Sequence, residues 1–130
     1  MRNLLLISLV FFFACGSDDT EDNPLPTYTI EGKWTYQGNN LNTMYIYENG
    51  IRYTYYCIDD NCDSLYNTFQ AGDTNALPGT NNYTFINDTL RVDLNFGNEL
   101  ITPITFECDG GEAYFETPKY SLHRLNSNCN

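Results

Sequence analysis

Positive charge is scarce in this chain. Six Lys and Arg face seventeen Asp and Glu, giving a formal net charge of −11 at pH 7. So few cations cannot neutralise a run of phosphates, which excludes nucleic acid as a partner. The acidity reads as a solvated, repulsive surface that keeps the protein soluble. Histidine and tryptophan occur once each. A single His123 rules out the paired-histidine zinc motif H-E-x-x-H, and neither a G-x-S-x-G nor a P-loop is present. As a strand residue between Leu122 and Arg124, His123 is expected to be exposed or structural. The chain is therefore not expected to be an enzyme, and no cofactor is implied. A convincing helical period is also absent, and no apolar run approaches the about 20 residues that a membrane-spanning helix needs.

Aromatic side chains, by contrast, are plentiful. Eleven Tyr and eight Phe sit among 130 residues that are 42% hydrophobic. That is one domain at most, with enough apolar material for a core and a composition that favours strands.

The first segment, "MRNLLLISLVFFFAC", places one arginine before an apolar run from Leu4 to Phe13 broken only by Ser8. This is the pattern of a secretory signal peptide, with the small residue Ala14 at the cleavage position. Cys15 directly after it resembles the lipobox of bacterial lipoproteins, with Phe12 standing where that family prefers Leu. The resemblance implies that Cys15 is diacylated and begins the mature chain, anchoring it to a membrane. Two long acyl chains, at about 0.8 kcal/mol per buried CH₂, hold firmly. The "GSDDTEDN" and "PLP" that follow read as a polar tether, kept extended by Asp18, Asp19, Glu21 and Asp22. That acidic cluster also resembles a surface-export signal of some outer-membrane bacteria. The expected organisation is a signal peptide over residues 1–14, a lipidated acidic tether over 15–29, and a β-barrel domain over 30–130. The expected location is outside the cytoplasm, at the outer membrane or cell surface.

The remaining cysteines are Cys57, Cys62, Cys108 and Cys129. In an exported chain an even number suggests two disulfides, and four cysteines allow three pairings. The favoured pairing is Cys57 with Cys62, across the short "IDDN" loop, and Cys108 with Cys129, which pins the end of the domain. Zinc is the competing reading of C-x4-C, disfavoured by the lone histidine and the acidic loop. Asp59, Asp60 and Asp63 are weak candidates for a calcium loop, lacking the glycine and distal glutamate of an EF-hand. Ser64 and Thr89 sit in tripeptides that resemble a periplasmic O-glycosylation pattern.

From Tyr28 onward the chain reads as strand after strand, near 33–38, 43–48, 51–57, 81–87, 89–96, 99–108, 112–117 and 120–125. Asn49-Gly50 is a strong two-residue hairpin signal. It opposes Glu48 to Ile51, Ile46 to Tyr53 and Met44 to Tyr55, so Met44, Ile46, Ile51, Tyr53 and Tyr55 share one face. Tyr45, Tyr47, Arg52 and Thr54 share the other. A turn at Asn87-Asp88 likewise groups Tyr83, Phe85, Leu90, Val92, Leu94 and Phe96. A third hairpin, turning at Gly110-Gly111, groups Ile104, Phe106, Cys108, Ala113 and Phe115. Pro103 marks an edge, a bulge or a corner. The fold class is thus all-β: an antiparallel, up-and-down eight-stranded barrel or a strongly curled sheet. The exception to short connections is Ile58–Thr80, in which Leu65 and Phe69 have the spacing of one or two helical turns. Connections of that length are usually functional or partly disordered.

"IEGKW" at the first strand, eight meander strands and "HRL" at the last resemble the lipocalin-like domain of small bacterial lipoproteins. The resemblance covers residues 30 to 126. It implies barrel closure by Gly32 and Trp34, with Arg124 packed over the indole, and a ligand cavity in the barrel. The chain is shorter than a full lipocalin and lacks its C-terminal helix.

An eight-stranded barrel is just wide enough to be filled by side chains or to hold one small ligand. The expected inward aromatics, and so the ligand-binding candidates, are Tyr53, Tyr55, Tyr83, Phe85, Phe96, Phe106 and Phe115. Two functions follow: a membrane-anchored exported lipoprotein holding a small apolar ligand in its barrel, or a filled scaffold that engages a surface protein or glycan through the 58–80 loop. Buried phenols separate the two, because a packed interior must satisfy each hydroxyl.

Overall fold

A computed structural model describes residues 26–36, 42–57, 62–125, 127 and 129. The lipidation candidate Cys15, the acidic cluster and the calcium candidates Asp59 and Asp60 lie outside the described residues.

Eight strands follow one another: β1 (Gly32–Tyr36), β2 (Thr43–Glu48), β3 (Ile51–Tyr56), β4 (Asn81–Ile86), β5 (Thr89–Asp93), β6 (Glu99–Glu107), β7 (Glu112–Glu116) and β8 (Lys119–His123). Each pairs antiparallel with the next, and β1 pairs with β8, closing an up-and-down barrel without a free sheet edge. The β2–β3 register is the one that Asn49-Gly50 dictates, with Ile46 opposite Tyr53 and Met44 opposite Tyr55. Both turn residues have positive φ, 52° and 78°, as this hairpin type requires. Asn87 and Asp88, at 49° and 56°, turn β4 into β5 and set Phe85 opposite Leu90. The third hairpin turns over four residues, Cys108 to Gly111, so that Phe106 faces Ala113 and Ile104 faces Phe115. Pro103 lies within β6 on its exposed face.

Closure produces two separate cores. The barrel interior holds Ile30, Trp34, Tyr47, Tyr83, Leu90, Val92, Ile104, Ala113, Phe115 and Leu122. A second cluster, Met44, Ile46, Tyr55, Cys57, Cys62 and Phe69, lies outside the barrel wall. This corrects the expected orientation of the β2–β3 hairpin. Trp34 points inward and is opposite Tyr45, while Gly32 is opposite Tyr47. The face bearing Tyr45, Tyr47 and Arg52 is therefore the interior one, and Tyr53 and Tyr55 are on the outside.

The outer face stays dry because the segment after β3 folds back over it. The Cys57–Cys62 disulfide starts the reversal, and Phe69 stacks on Tyr55 with ring centroids 4.8 Å apart. Leu65 and Phe69 do share one turn, through Phe69 N–H donating to the Leu65 carbonyl at 3.2 Å. The Tyr66 hydroxyl donates to the Lys33 carbonyl (2.8 Å), and the Lys33 ammonium donates to the Tyr66 carbonyl (3.0 Å). Further along, Leu77 N–H donates to the Thr54 carbonyl at 2.7 Å. The long connection is a wall of the protein rather than a free loop.

A second correction concerns Leu94 and Phe96. Regular alternation stops at Asp93, because Asn95, Phe96 and Gly97 take φ of 69°, 54° and 81°. The strand is over, and Phe96 is fully exposed at the tip of the β5–β6 turn.

Candidate functional site

One end of the barrel is shut by the strands' own flanks. The Arg124 guanidinium lies 4.4 Å from the Trp34 ring centre and donates to the carbonyls of Glu31 (2.6 Å) and Thr29 (3.3 Å). The Trp34 indole N–H donates to the Ile30 carbonyl at 2.6 Å. Gly32 has φ +113°, and a β-carbon there would meet Arg124 Nη1 at 3.0 Å. The backbone thus requires glycine here, and a β-carbon would also crowd the guanidinium beside it. Burial pushes the Arg124 pKa below its ordinary value, opposed by the Tyr66 phenol. Phe106 fills the space beside the indole, 6.2 Å from it, with Phe85 edge-on at 5.8 Å.

Elsewhere the interior is lined with phenols. Tyr36 and Tyr120 stack at 5.1 Å, Tyr36 meets Tyr45 at 5.9 Å, and Tyr120 stacks on Phe115 at 4.3 Å. Tyr47 sits edge-on to Tyr83 at 5.0 Å. Tyr36 ends β1 and Tyr120 is the second residue of β8. Both therefore stand at the end of the barrel opposite the Arg124 closure, where β1 ends and β8 begins. Although they point inward, Tyr36, Tyr45, Arg52 and Tyr120 are only half-buried, so water reaches the interior from that end.

Arg52 brings a charge among these interior phenols. Its Nη2 donates to Asn81 Oδ1 at 2.7 Å, and its guanidinium lies 4.9 Å from the Tyr45 ring centre. Asn81 is fixed in turn by donating to the Asp93 carbonyl at 2.7 Å. The Arg52 Nε and the Tyr47 hydroxyl are both buried without a well-formed hydrogen bond. Burial raises the pKa of Tyr36 to about 12, with the Tyr45 phenol adding to it. Tyr47 and Tyr120 are raised further, again mainly by burial. All of these phenols keep their protons at physiological pH and act as donors. Tyr83 is also raised, by burial and by its hydroxyl donating to the Glu31 carboxylate.

Of the seven aromatic candidates, Tyr83, Phe85, Phe106 and Phe115 line the interior, whereas Tyr53, Tyr55 and Phe96 do not. Sequence reasoning missed Tyr36, Tyr45, Tyr47, Arg52 and Tyr120. The available signal was the pairing of β2 with the Gly32–Trp34 strand, which ties Tyr45 and Tyr47 to the face of the indole.

Among the described residues, four surface clefts stand out, and none of these four is lined by the interior phenols. The largest of these four, about 820 Å³, lies between the 72–80 segment and the β5–β6 turn and is lined by Tyr53, Asp73, Leu77, Pro78, Asn95 and Phe96, among others. Cys108, Glu112 and Cys129 offer ligand atoms within 4.8 Å of one another. Both sulfurs belong to the Cys108–Cys129 disulfide, which leaves one carboxylate and no metal site. His123 is buried outside the barrel with Nε2 3.6 Å from Glu112 Oε1, and Asp63 is exposed. No family model matches this chain, and neither the curated proteins nor the solved structures contain a match.

Proposed function

We propose that this protein is an exported, membrane-anchored lipoprotein whose barrel holds a small ligand with a flat apolar body among its interior tyrosines. One observation carries the reading: phenols that point into the barrel remain half-reached by water, and the Tyr47 hydroxyl is buried with no well-formed hydrogen bond. A finished core would satisfy it, since an unmet buried polar group costs about 1–3 kcal/mol. Stacked rings suit a planar partner, and the few polar groups suit its orientation. The lipocalin-like resemblance is supported by the closed meander and by Arg124 over Trp34. Anchoring at Cys15 rests on the sequence of the leader. Native mass spectrometry of the protein extracted from its own host tests the reading. A mass excess that disappears on unfolding is expected, and a bare chain mass in repeated preparations counts against it.

A second reading has its own support, in Phe96. A bulky residue at φ 54° is a backbone outlier, and here it is also fully exposed beside the 820 Å³ cleft. On this reading the rim engages a surface protein or glycan. Phe96→Ser would then abolish the binding of intact cells or glycans and leave the mass excess unchanged.

A further inference from the structure

Arg52 is the group that packing alone does not explain. The other described cations have evident roles at the surface or the closed end. Arg91 pairs with Glu99 at 2.9 Å, Lys33 ties down Tyr66, and Arg124 closes the barrel. Lys119 is exposed. Arg52 instead stands inside the barrel, and no carboxylate among the described residues pairs with it, although acidic residues outnumber basic ones almost threefold. Its neighbours are the Tyr45 ring, the Asn81 amide and the Tyr47 hydroxyl, none of which carries charge. A half-buried cation inside a barrel, faced only by neutral groups, keeps its charge without a counter-ion. What remains is an unneutralised guanidinium whose Nε–H makes no well-formed hydrogen bond, beside the phenols of Tyr36, Tyr45, Tyr47 and Tyr120.

Resting on the barrel-binding reading, we infer that the ligand is a small organic anion, an apolar body carrying one carboxylate-like head, and that Arg52 and Tyr47 receive the head. The head enters past Tyr36 and Tyr120 at the water-reached end, and the guanidinium takes it through Nε and the Tyr47 hydroxyl donates to it. The apolar body lies against the stacked rings. Arginine suits this role because its planar fork matches a carboxylate in two parallel bonds.

Two fluorescent probes of like shape separate the inference from the reading on which it rests. Anilinonaphthalene sulfonate carries an anionic head, and phenylnaphthylamine is its neutral counterpart. Trp34 is the only tryptophan and sits in the interior, so energy transfer from it reports binding inside the barrel. The sulfonate is expected to bind with transfer, and Arg52→Gln is expected to weaken it by about tenfold or more, the equivalent of about 1.4 kcal/mol, with phenylnaphthylamine unchanged. On the unmodified protein, octanoate displaces the sulfonate probe and octanol does not, a comparison that holds even if the variant fails to fold. If octanol displaces as well as octanoate, or if Arg52→Gln binds both probes normally, the inference is overturned and the barrel-binding reading stands. If neither probe draws transfer from Trp34, both fall.

Discussion

Replacing Phe69 with alanine asks whether the segment between β3 and β4 is a loop or a wall. Phe69 is 8% exposed, and its ring stacks on Tyr55 at 4.8 Å with 20° between planes. Truncating a buried phenylalanine costs about 3–5 kcal/mol. The cover lies at the edge of the domain and is able to open as a unit once its anchor is lost. That sets the loss at the low end, about 3 kcal/mol. At roughly 4–8 °C per kcal/mol for a domain of this size, the midpoint of thermal unfolding falls by about 12–24 °C. Circular dichroism follows the transition under non-reducing conditions. Hydrogen exchange adds a local readout: the Leu77 amide, bonded to the Thr54 carbonyl, loses protection, while amides between β5 and β6 keep theirs. A stability change under about 0.5 kcal/mol, as for an ordinary surface substitution, would refute the second core.

Arg124→Gln removes a cation–π contact and two charged donors from the barrel base. Discounted for partial exposure, the loss is about 2 kcal/mol, read as a urea midpoint lower by about 1–2 M together with a red shift of Trp34 emission. Asp88→Gly places the preferred residue at a φ of 56° and raises stability by a few tenths to about 1 kcal/mol; an unchanged midpoint would argue against strain in that turn. His123 is pushed below its ordinary pKa of 6.5 by burial, against the pull of Glu112. The unfolded chain therefore binds the extra proton first, and stability present above pH 6.5 is lost as the pH falls through that value toward the folded-state pKa. The stability advantage of the natural protein over His123→Asn should shrink between pH 7.5 and 5.5 in paired denaturant titrations, at about those two settings; a constant difference would contradict the burial argument.

Much of the barrel was legible because its turns are local. Asn49-Gly50 and Asn87-Asp88 demand positive φ at both positions, and register follows from the turn. Both disulfides follow the favoured pairing, Cys57 with Cys62 and Cys108 with Cys129. The interior site was not legible for a reason that alternation cannot overcome. Period two says that Met44, Ile46, Tyr53 and Tyr55 share a face; it does not say what covers that face. Here the cover comes from Phe69 and its neighbours, and the more polar face of Tyr45, Tyr47 and Arg52 turns inward. A strand buried on both sides gives two plausible insides, and only its pairing with the Trp34 strand decides between them. Phe96 was misplaced by the same extrapolation, since the strand ends before it and the turn reverses direction.

The most direct test of ligand binding inside the barrel is an NMR titration of the protein carrying isotope-labelled tyrosine rings, with phenylnaphthylamine as the probe. The account predicts that the signals of Tyr36, Tyr45, Tyr47 and Tyr120 move together and saturate, while those of Tyr53 and Tyr55 on the outside stay in place. Movement confined to Tyr53, beside the rim cleft, would contradict it and shift the binding function to the surface around Phe96.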